Sequence, residues 1–255
     1  MLRLPRYIFY DIIRNKVIIA YTLFLFLAAF SMFRMEENSS RATLSLLNIV
    51  LIVLPLVSLM FTTIHYYNSY EFIELMLSQP LSRTRIFLSE FLSVALSLLG
   101  AFWIGIGIPV LLFSADAGGL SLLFTGSALT LVFTSIAFLA AVKSKDKARG
   151  IGVALLLWFY FALIYDGIVL LILFAFSEYP MEKFTLLLSA LNPIDLGRIF
   201  IMLQLDVSAL MGYTGALYKD FFGSSTGLLF TGIVMALWMV VPLWLALRSF
   251  RKKDM

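Results

Sequence analysis

The sequence predicts an all-α polytopic membrane protein with six transmembrane helices, formed as one domain over residues 1–255. Hydrophobic residues make up 62% of the chain and charged residues only 13%, whereas soluble domains have about 25% charged residues. The mean hydropathy is +0.99. Apolar runs close to the roughly 20 residues needed to cross a bilayer recur along the chain. There is no cysteine, which excludes disulfides and thiolate metal sites.

The first apolar run is preceded by a segment that is too polar to span. Leu4, Ile8 and Ile12 recur at helical spacing within residues 1–16, among basic residues. This pattern predicts an amphipathic helix at the membrane interface. The predicted spans follow at about 17–33, 43–65, 88–113, 120–142, 150–176 and 227–247. Pro55 is expected to kink the second span.

The basic residues predict that both termini lie inside. Positively charged residues concentrate in cytoplasmic segments of membrane proteins. With this orientation the cytoplasmic segments hold 14 of the 19 basic residues, namely Arg3, Arg6, Arg14, Lys16, Arg83, Arg85, Lys143, Lys145, Lys147, Arg149, Arg248, Arg251, Lys252 and Lys253. The connectors 67–85 and 143–149 then face the cytoplasm, and the connector 177–226 faces the outside.

The longest polar interruption in the first half of the chain is 67–90. Glu71 and Glu74 lie on one face of a predicted helix, since residues three apart are neighbours there. Ser78-Gln79-Pro80 ends that helix, and Arg83 and Arg85 lead into the next span. The two acids fit a solvated connector or a basic groove on a cytoplasmic partner, and the residues alone leave both open. The basic run 143–149 similarly fits lipid headgroups or a partner.

The outer connector 177–226 is too apolar for a free loop and too interrupted to span. Asn192-Pro193 predicts a turn into a helix over 194–205, with Asp195 near its N-terminus, where acids are favoured. We expect a pair of re-entrant helices that the bundle covers, because non-helical backbone at membrane depth needs such cover.

Few residues offer chemistry. Asp166 is predicted to be the only ionisable residue well inside a span, and either caps a broken helix or has a function. Well inside the predicted spans there is no basic residue and no second acidic residue that could form a proton relay with Asp166. His65 is the only histidine and is expected to be an interfacial packing residue, so no metal site is predicted. No phosphate-binding loop is present, so the chain is not expected to bind and hydrolyse ATP in the P-loop manner.

The run Glu74–Arg83, ELMLSQPLSR, together with the six spans and the N-terminal helix, resembles the permeases of the ABC-2 transporter family. The resemblance covers essentially the whole chain and implies a type V exporter-like fold in the bacterial inner membrane. It implies a homodimer whose connector, 67–85, is a coupling helix that docks on a separate ATPase, which binds ATP. Glu71, Glu74, Pro80, Arg83 and Arg85 are the residues it assigns to that contact.

The outer runs LNPIDLGR, 191–198, and LDVSALMG, 205–212, are similar to permeases of nitrous oxide reductase maturation complexes. This resemblance implies a periplasmic copper-binding partner and a role in building copper–sulfur centres for denitrification. Asn192, Pro193, Asp195, Arg198 and Asp206 are the expected contacts. Two alternatives stay open: a generic ABC-2 exporter of a lipid, drug or peptide, and a non-transporting membrane scaffold.

Overall fold

The computed structural model describes residues 3–36, 38–176, 187–205 and 225–252. Regular structure in these ranges is helical throughout, and none of their residues forms a strand. The helices are α1 (Arg3–Ile13), α2 (Lys16–Met35), α3 (Ser39–Asn68), α4 (Tyr70–Leu77), α5 (Arg83–Phe113), α6 (Ala117–Lys143), α7 (Lys147–Ala175), α8 (Pro193–Gln204) and α9 (Ser225–Lys252).

Six of these helices are long and apolar enough to cross a membrane: α2, α3, α5, α6, α7 and, from Leu229, α9. The described residues thus hold six candidate spans, the number that the sequence predicted. α3 continues through Pro55, and two helices contain π-helical turns, Trp103–Gly107 in α5 and Tyr160–Ile164 in α7.

α6 is the central helix. Of its span-forming residues 72% are buried inside the protein, against 22% in α2, 17% in α7 and 22% in α9. It packs against α3, α5, α8 and α9. The more exposed α2, α7 and α9 present apolar side chains outward, as expected for surfaces that face lipid rather than water.

α5 begins earlier than predicted, at Arg83 rather than near residue 88. Glu90 therefore lies about two turns inside this helix and is 3% exposed. Glu90 is thus an ionisable residue enclosed by the protein within a membrane-length helix, near its basic end. Protein groups, rather than lipid, surround this side chain.

The N-terminal helix α1 packs against α5. Ile8 and Ile12, which were predicted to share its apolar face, are 5% and 1% exposed. The amphipathic helix is thereby confirmed, while its position at a membrane interface stays a prediction.

The described part of the outer connector includes α8, one residue offset from the predicted 194–205. α8 packs against α6, α3 and α9. The approach to α6 is close at Gly197, where a Cβ atom would lie 2.6 Å from Thr125 Cγ2. The second predicted re-entrant helix, with Asp206, lies outside the described residues.

Two ends of the bundle matter for function. We call the end that carries α4, residues 143–149 and the last turn of α9 the basic end. The other end, which contains the link 114–116 and the first turn of α9, is the opposite end.

Candidate functional site

α4 forms a short amphipathic bridge at the basic end. Its Ile73 is buried, at 1% exposure, and this anchors one face of the helix on the bundle. Glu71 and Glu74 lie on the other face and are exposed. Ser78 ends the helix and donates its hydroxyl hydrogen to the Leu75 carbonyl. The two acids are thus held on a fixed helix with their carboxylates open to a partner.

The other residues predicted at this site divide into two groups. Pro80 and Arg85 are exposed and accessible to a partner. Arg83 is half-buried, and its Nη1 donates to the Arg251 carbonyl at 3.2 Å. Arg83 therefore also joins the start of α5 to the end of α9.

The basic run 143–149 lies beside the root of α4. Lys147 Nζ donates to Asn68 Oδ1 at 2.8 Å, next to the α3–α4 junction. The Tyr67 hydroxyl donates to the Ala141 carbonyl at 3.1 Å. Asp146 caps α7 by accepting from the Arg149 backbone N–H. Basic and acidic surfaces thus lie side by side at this end.

A second site is built around Asn192, at the start of α8. Its side-chain oxygen accepts from the Ile194 backbone N–H at 3.0 Å, which caps the helix. Its amide nitrogen lies 3.0 Å from the Phe161 carbonyl and 3.0 Å from Asp195 Oδ2, and donates to both. Phe161 belongs to the π turn of α7, a local feature that is frequent at functional sites.

Two further bonds fasten the segment that precedes α8. The Tyr165 hydroxyl donates to the Leu188 carbonyl at 2.6 Å. Trp238 Nε1, from α9, donates to the Ala190 carbonyl at 3.0 Å. The segment 187–192 is therefore joined by side chains to both neighbouring spans.

Arg198 connects the two acids of this region. Its Nη1 lies 2.8 Å from Asp166 Oδ2 and 3.5 Å from Asp195 Oδ1. The Asp166 side chain is 32% exposed and that of Arg198 33%, while that of Asp195 is 14% exposed. Asp166 is therefore paired with a cation from the connector, which goes beyond the capping role considered from sequence.

The charge of this network depends on protonation of Asp195. Burial, together with the nearby Asp166 carboxylate, raises the pKa of Asp195 to about 7, although the Arg198 guanidinium opposes the shift. A cavity of about 240 Å3 borders these groups. It is lined by Asp166, Val169, Leu170, Ser189, Asp195, Arg198 and Ile199.

The structure thus brings together residues that were predicted for two different roles. Asp166 was predicted inside a span, whereas Asn192, Asp195 and Arg198 were predicted as partner contacts. The structure also corrects one expectation. Asn192 and Pro193 are buried, and the Asn192 amide bonds to the chain itself, so these two side chains do not form a surface for a partner. Asp195 and Arg198 remain partly accessible. Asp206 lies outside the described residues.

Sequence reasoning missed a buried pair at the basic end. His65 Nε2 lies 3.2 Å from Glu90 Oε2, and the two side chains are 10% and 4% exposed. The same nitrogen lies 3.3 Å from Ser69 Oγ. His65 is thus more than a packing residue. The sequence did contain a hint of this pair, because His65 lies just before the polar stretch 67–90 and Glu90 lies at its end. The pair was missed because Glu90 was assigned to that polar stretch.

Within the ranges that the structure describes, no group of three or more His, Asp or Glu residues is arranged to hold a metal ion. The chemistry at both ends consists instead of ion pairs and hydrogen bonds. Such contacts position helices and bind partners.

Six membrane-length helices, with a short bridging helix between two of them, are the architecture of a polytopic helical membrane protein. The chain belongs to the ABC-2 family of transporter proteins, whose family pattern matches residues 9–255. It is 32% identical over 189 residues to the probable ABC transporter permease protein NosY of Pseudomonas aeruginosa, covering 70% of this chain and 67% of that protein. It is 29% identical over 201 residues to the protein of the same name in Stutzerimonas stutzeri, again covering 70% and 67%.

Proposed function

We propose that this ABC-2 permease is the membrane subunit of a complex that couples ATP hydrolysis to assembly of the copper–sulfur centres of nitrous oxide reductase. It acts as a homodimer in the bacterial inner membrane, with both termini in the cytoplasm. A separate NosF-like ATPase binds ATP and docks on α4. A NosD-like copper-binding protein contacts the opposite end, in the periplasm. The NosY relatives support the role in reductase maturation.

The observation that carries the ATPase-docking role is the geometry of α4. The helix is anchored through Ile73 on one face, while Glu71 and Glu74 project into solvent from the other face. A family that works with ATPase subunits needs such a fixed, charged surface. Complementary charges across an interface raise association rates and set specificity.

The test is charge reversal, Glu71→Lys with Glu74→Lys. We expect the ATPase to bind at least about 100-fold more weakly, because truncating charge pairs at an interface costs roughly 2–5 kcal/mol. Co-purification and titration of the ATPase against the full permease in detergent measure this. The folded bundle should survive, since both side chains are exposed.

Arg149→Glu is the matched control, because this residue also lies at the basic end and is exposed, and its pair with Asp146 is a surface pair. Normal ATPase binding by the double reversal would remove α4 as the docking site. Binding lost equally in Arg149→Glu would show a response to net charge rather than to α4.

The periplasmic role rests on Asp195 and Arg198, the accessible members of the network around α8. Replacing both with Asn and Gln should weaken the copper-binding partner more than it changes ATP hydrolysis. Copper content of the reductase in cells that carry the variant is the second readout. Unchanged partner binding and normal copper loading would contradict this part of the proposal.

A generic exporter is the second candidate, favoured by an apolar groove of about 410 Å3 between α1, α2 and α5. Deletion of the gene separates the two functions. Loss of reductase copper loading supports the maturation role. An unaffected reductase, with altered export of a lipid, drug or peptide, supports the exporter.

A further inference from the structure

The groove between α1, α2 and α5 lies apart from both sites described above. Its walls run from Ile18 to Phe26 on α2 and from Leu96 to Ile104 on α5, and Ile13 of α1 lies beside the start of α2. Its volume of about 410 Å3 is within the range of ligand sites in proteins, roughly 300–1,000 Å3. The groove is therefore large enough to hold part of another molecule.

The helices around the groove are packed against one another. α1 packs on α5, and α2 and α5 are in direct contact at Gly105, where a Cβ atom would lie 2.6 Å from Leu25 Cβ. At Gly100, which lines the groove, a Cβ atom would meet no atom within 4 Å. The groove is thus a defined concavity in a packed surface.

The side chains that line the groove offer hydrocarbon and no free hydrogen-bond donor. Its two hydroxyl groups belong to Thr22 and Ser97. Thr22 donates to the Ile18 carbonyl and Ser97 to the Ser93 carbonyl, both at 2.8 Å. A polar ligand would lose its hydrogen bonds to water without replacing them, which costs free energy. The lining therefore fits a hydrocarbon chain.

The length of the groove suits one leaflet of a bilayer. α2 rises about 12 Å from Ile18 to Phe26, and α5 rises as much from Leu96 to Ile104. The hydrocarbon core of a bilayer is about 30 Å thick, so one leaflet contributes about 15 Å. The acyl chain of a single phospholipid covers that distance.

Basic side chains flank the groove at the corner between α1 and α2. Arg14 and Lys16 are exposed and come just after Ile13, which lines the groove. Among the residues that the structure describes, neither of them forms an ion pair. Asp11 is the nearest acid in the sequence, so the corner keeps a net positive charge. Lysine and arginine at a membrane surface attract anionic lipids.

We propose that this groove binds one phospholipid with an anionic headgroup. The acyl chain lies in the groove, and the phosphate lies at the corner that carries Arg14 and Lys16. The lipid is a resident component that fills the space between α1, α2 and α5, and it is not exported cargo. The site is separate from α4 and from the network around α8, so it does not depend on the proposed partners.

Lipid binding to the full permease tests this. The permease is delipidated in detergent and titrated with phosphatidylglycerol or phosphatidylcholine, and native mass spectrometry counts the bound lipids. We expect one tightly bound phosphatidylglycerol per chain and weaker binding of phosphatidylcholine. Gly100→Leu places a side chain in the groove without a clash at Cβ. Because the leucine takes the space of the acyl chain, affinity for phosphatidylglycerol should fall by about 10-fold or more.

Gly232→Leu is the matched control. Gly232 lies on α9, is half-buried and likewise has no atom within 4 Å of an added Cβ, but it does not line the groove. Lipid binding should be unchanged in this variant. Arg14→Gln with Lys16→Gln leaves the hydrocarbon lining intact. This double variant should lower the preference for phosphatidylglycerol over phosphatidylcholine by about fivefold for each charge removed.

A phosphatidylglycerol with a photoreactive diazirine on its acyl chain locates the site. Cross-links to α2 and α5 that are lost in Gly100→Leu support the proposal. Equal binding of the two lipids, or equal binding by Gly100→Leu and the unsubstituted chain, overturns it, since either result would show only general contact with bilayer lipid. Cross-links that disappear during ATP hydrolysis by the bound ATPase would identify the lipid as cargo and also overturn it.

Discussion

The charged residues of α4 and those around α8 differ in what they contact. Glu71 and Glu74 are exposed and project from a helix that Ile73 anchors. Around α8, Asn192 is fully buried and Arg198 holds two carboxylates. The first arrangement leaves charges available for another protein. The second uses them to fix a segment of the chain against its own spans.

This difference teaches that similar polar patterns in one sequence serve opposite purposes. An exposed ion pair contributes little stability, about 0–1 kcal/mol, so the α4 acids are free to serve binding. Buried hydrogen-bonded groups cost roughly 1–3 kcal/mol when a partner is lost. Substitutions at the α8 end should therefore change folding as well as partner binding, whereas those at the α4 end should change assembly alone.

The largest effect on stability is expected from Arg198→Met. The change leaves Asp166 and Asp195 facing each other without their cation, and should lower the free energy of unfolding by about 1–3 kcal/mol. That is less than for a fully buried pair, because the Arg198 and Asp166 side chains are about one-third exposed and solvent screens them. Thermal unfolding in detergent measures it.

Two further variants compare the loss of unfolding free energy at the two ends of the bundle. Arg83→Met removes a cation from the basic end and should cost less than about 1 kcal/mol. Adding Asp166→Leu to Arg198→Met should recover much of the loss, since one stranded charge is removed. Equal destabilisation by Arg83→Met and Arg198→Met would contradict the proposed difference between the ends.

An intermediate effect is expected from Asn192→Leu. It removes the cap on Ile194 and the bonds to Phe161 and Asp195, at a cost of roughly 2 kcal/mol. Hydrogen exchange of the α8 amides and thermal unfolding report the loss.

Asn38→Leu is the matched control for that change. Asn38 makes the same type of cap, with its oxygen accepting from the Ser40 backbone N–H at an exposed site. Loss of this cap alone should cost about 1 kcal/mol. A cost as large as that of Asn192→Leu would show that the bonds to α7 and Asp195 add nothing.

A pH dependence of stability is also expected at the α8 end. The pKa of Asp195 is raised from 3.8 to about 7, so the folded segment binds a proton that the unfolded chain has released between these values. Stability should therefore fall as pH rises from about 4 to about 7, and this contribution should level off above 7.

Asp195→Asn should flatten that slope in the melting temperature between pH 5 and pH 8. A slope that persists in Asp195→Asn would assign the titration to another group.

Much of the fold was predictable because lipid imposes simple rules. The six spans follow from apolar length, and the helix of residues 1–16 follows from the spacing of Ile8 and Ile12. α4 was predicted from Glu71, Glu74 and the stop at Ser78-Gln79-Pro80, because helix ends are set by local residues. α8 was predicted to within one residue for the same reason.

The pairings were not predictable, because they join residues far apart in the chain. Nothing local to Asp166 indicates that Arg198 lies 2.8 Å away. Glu90 was assigned to the end of the polar interruption 67–90, and only the packing of α5 beside α3 shows that it lies next to His65. Asn192 was expected at a surface and is buried.

The amino-acid sequence by itself therefore determined the class of protein, the number of spans and the place of the polar bridge, since these depend on hydropathy and local helix signals. Only the tertiary structure decided which charged side chains are exposed and which are paired within the protein. That decision depends on burial and on distances of a few ångströms between helices. The exposed acids of α4 and the enclosed network of α8 differ for this reason.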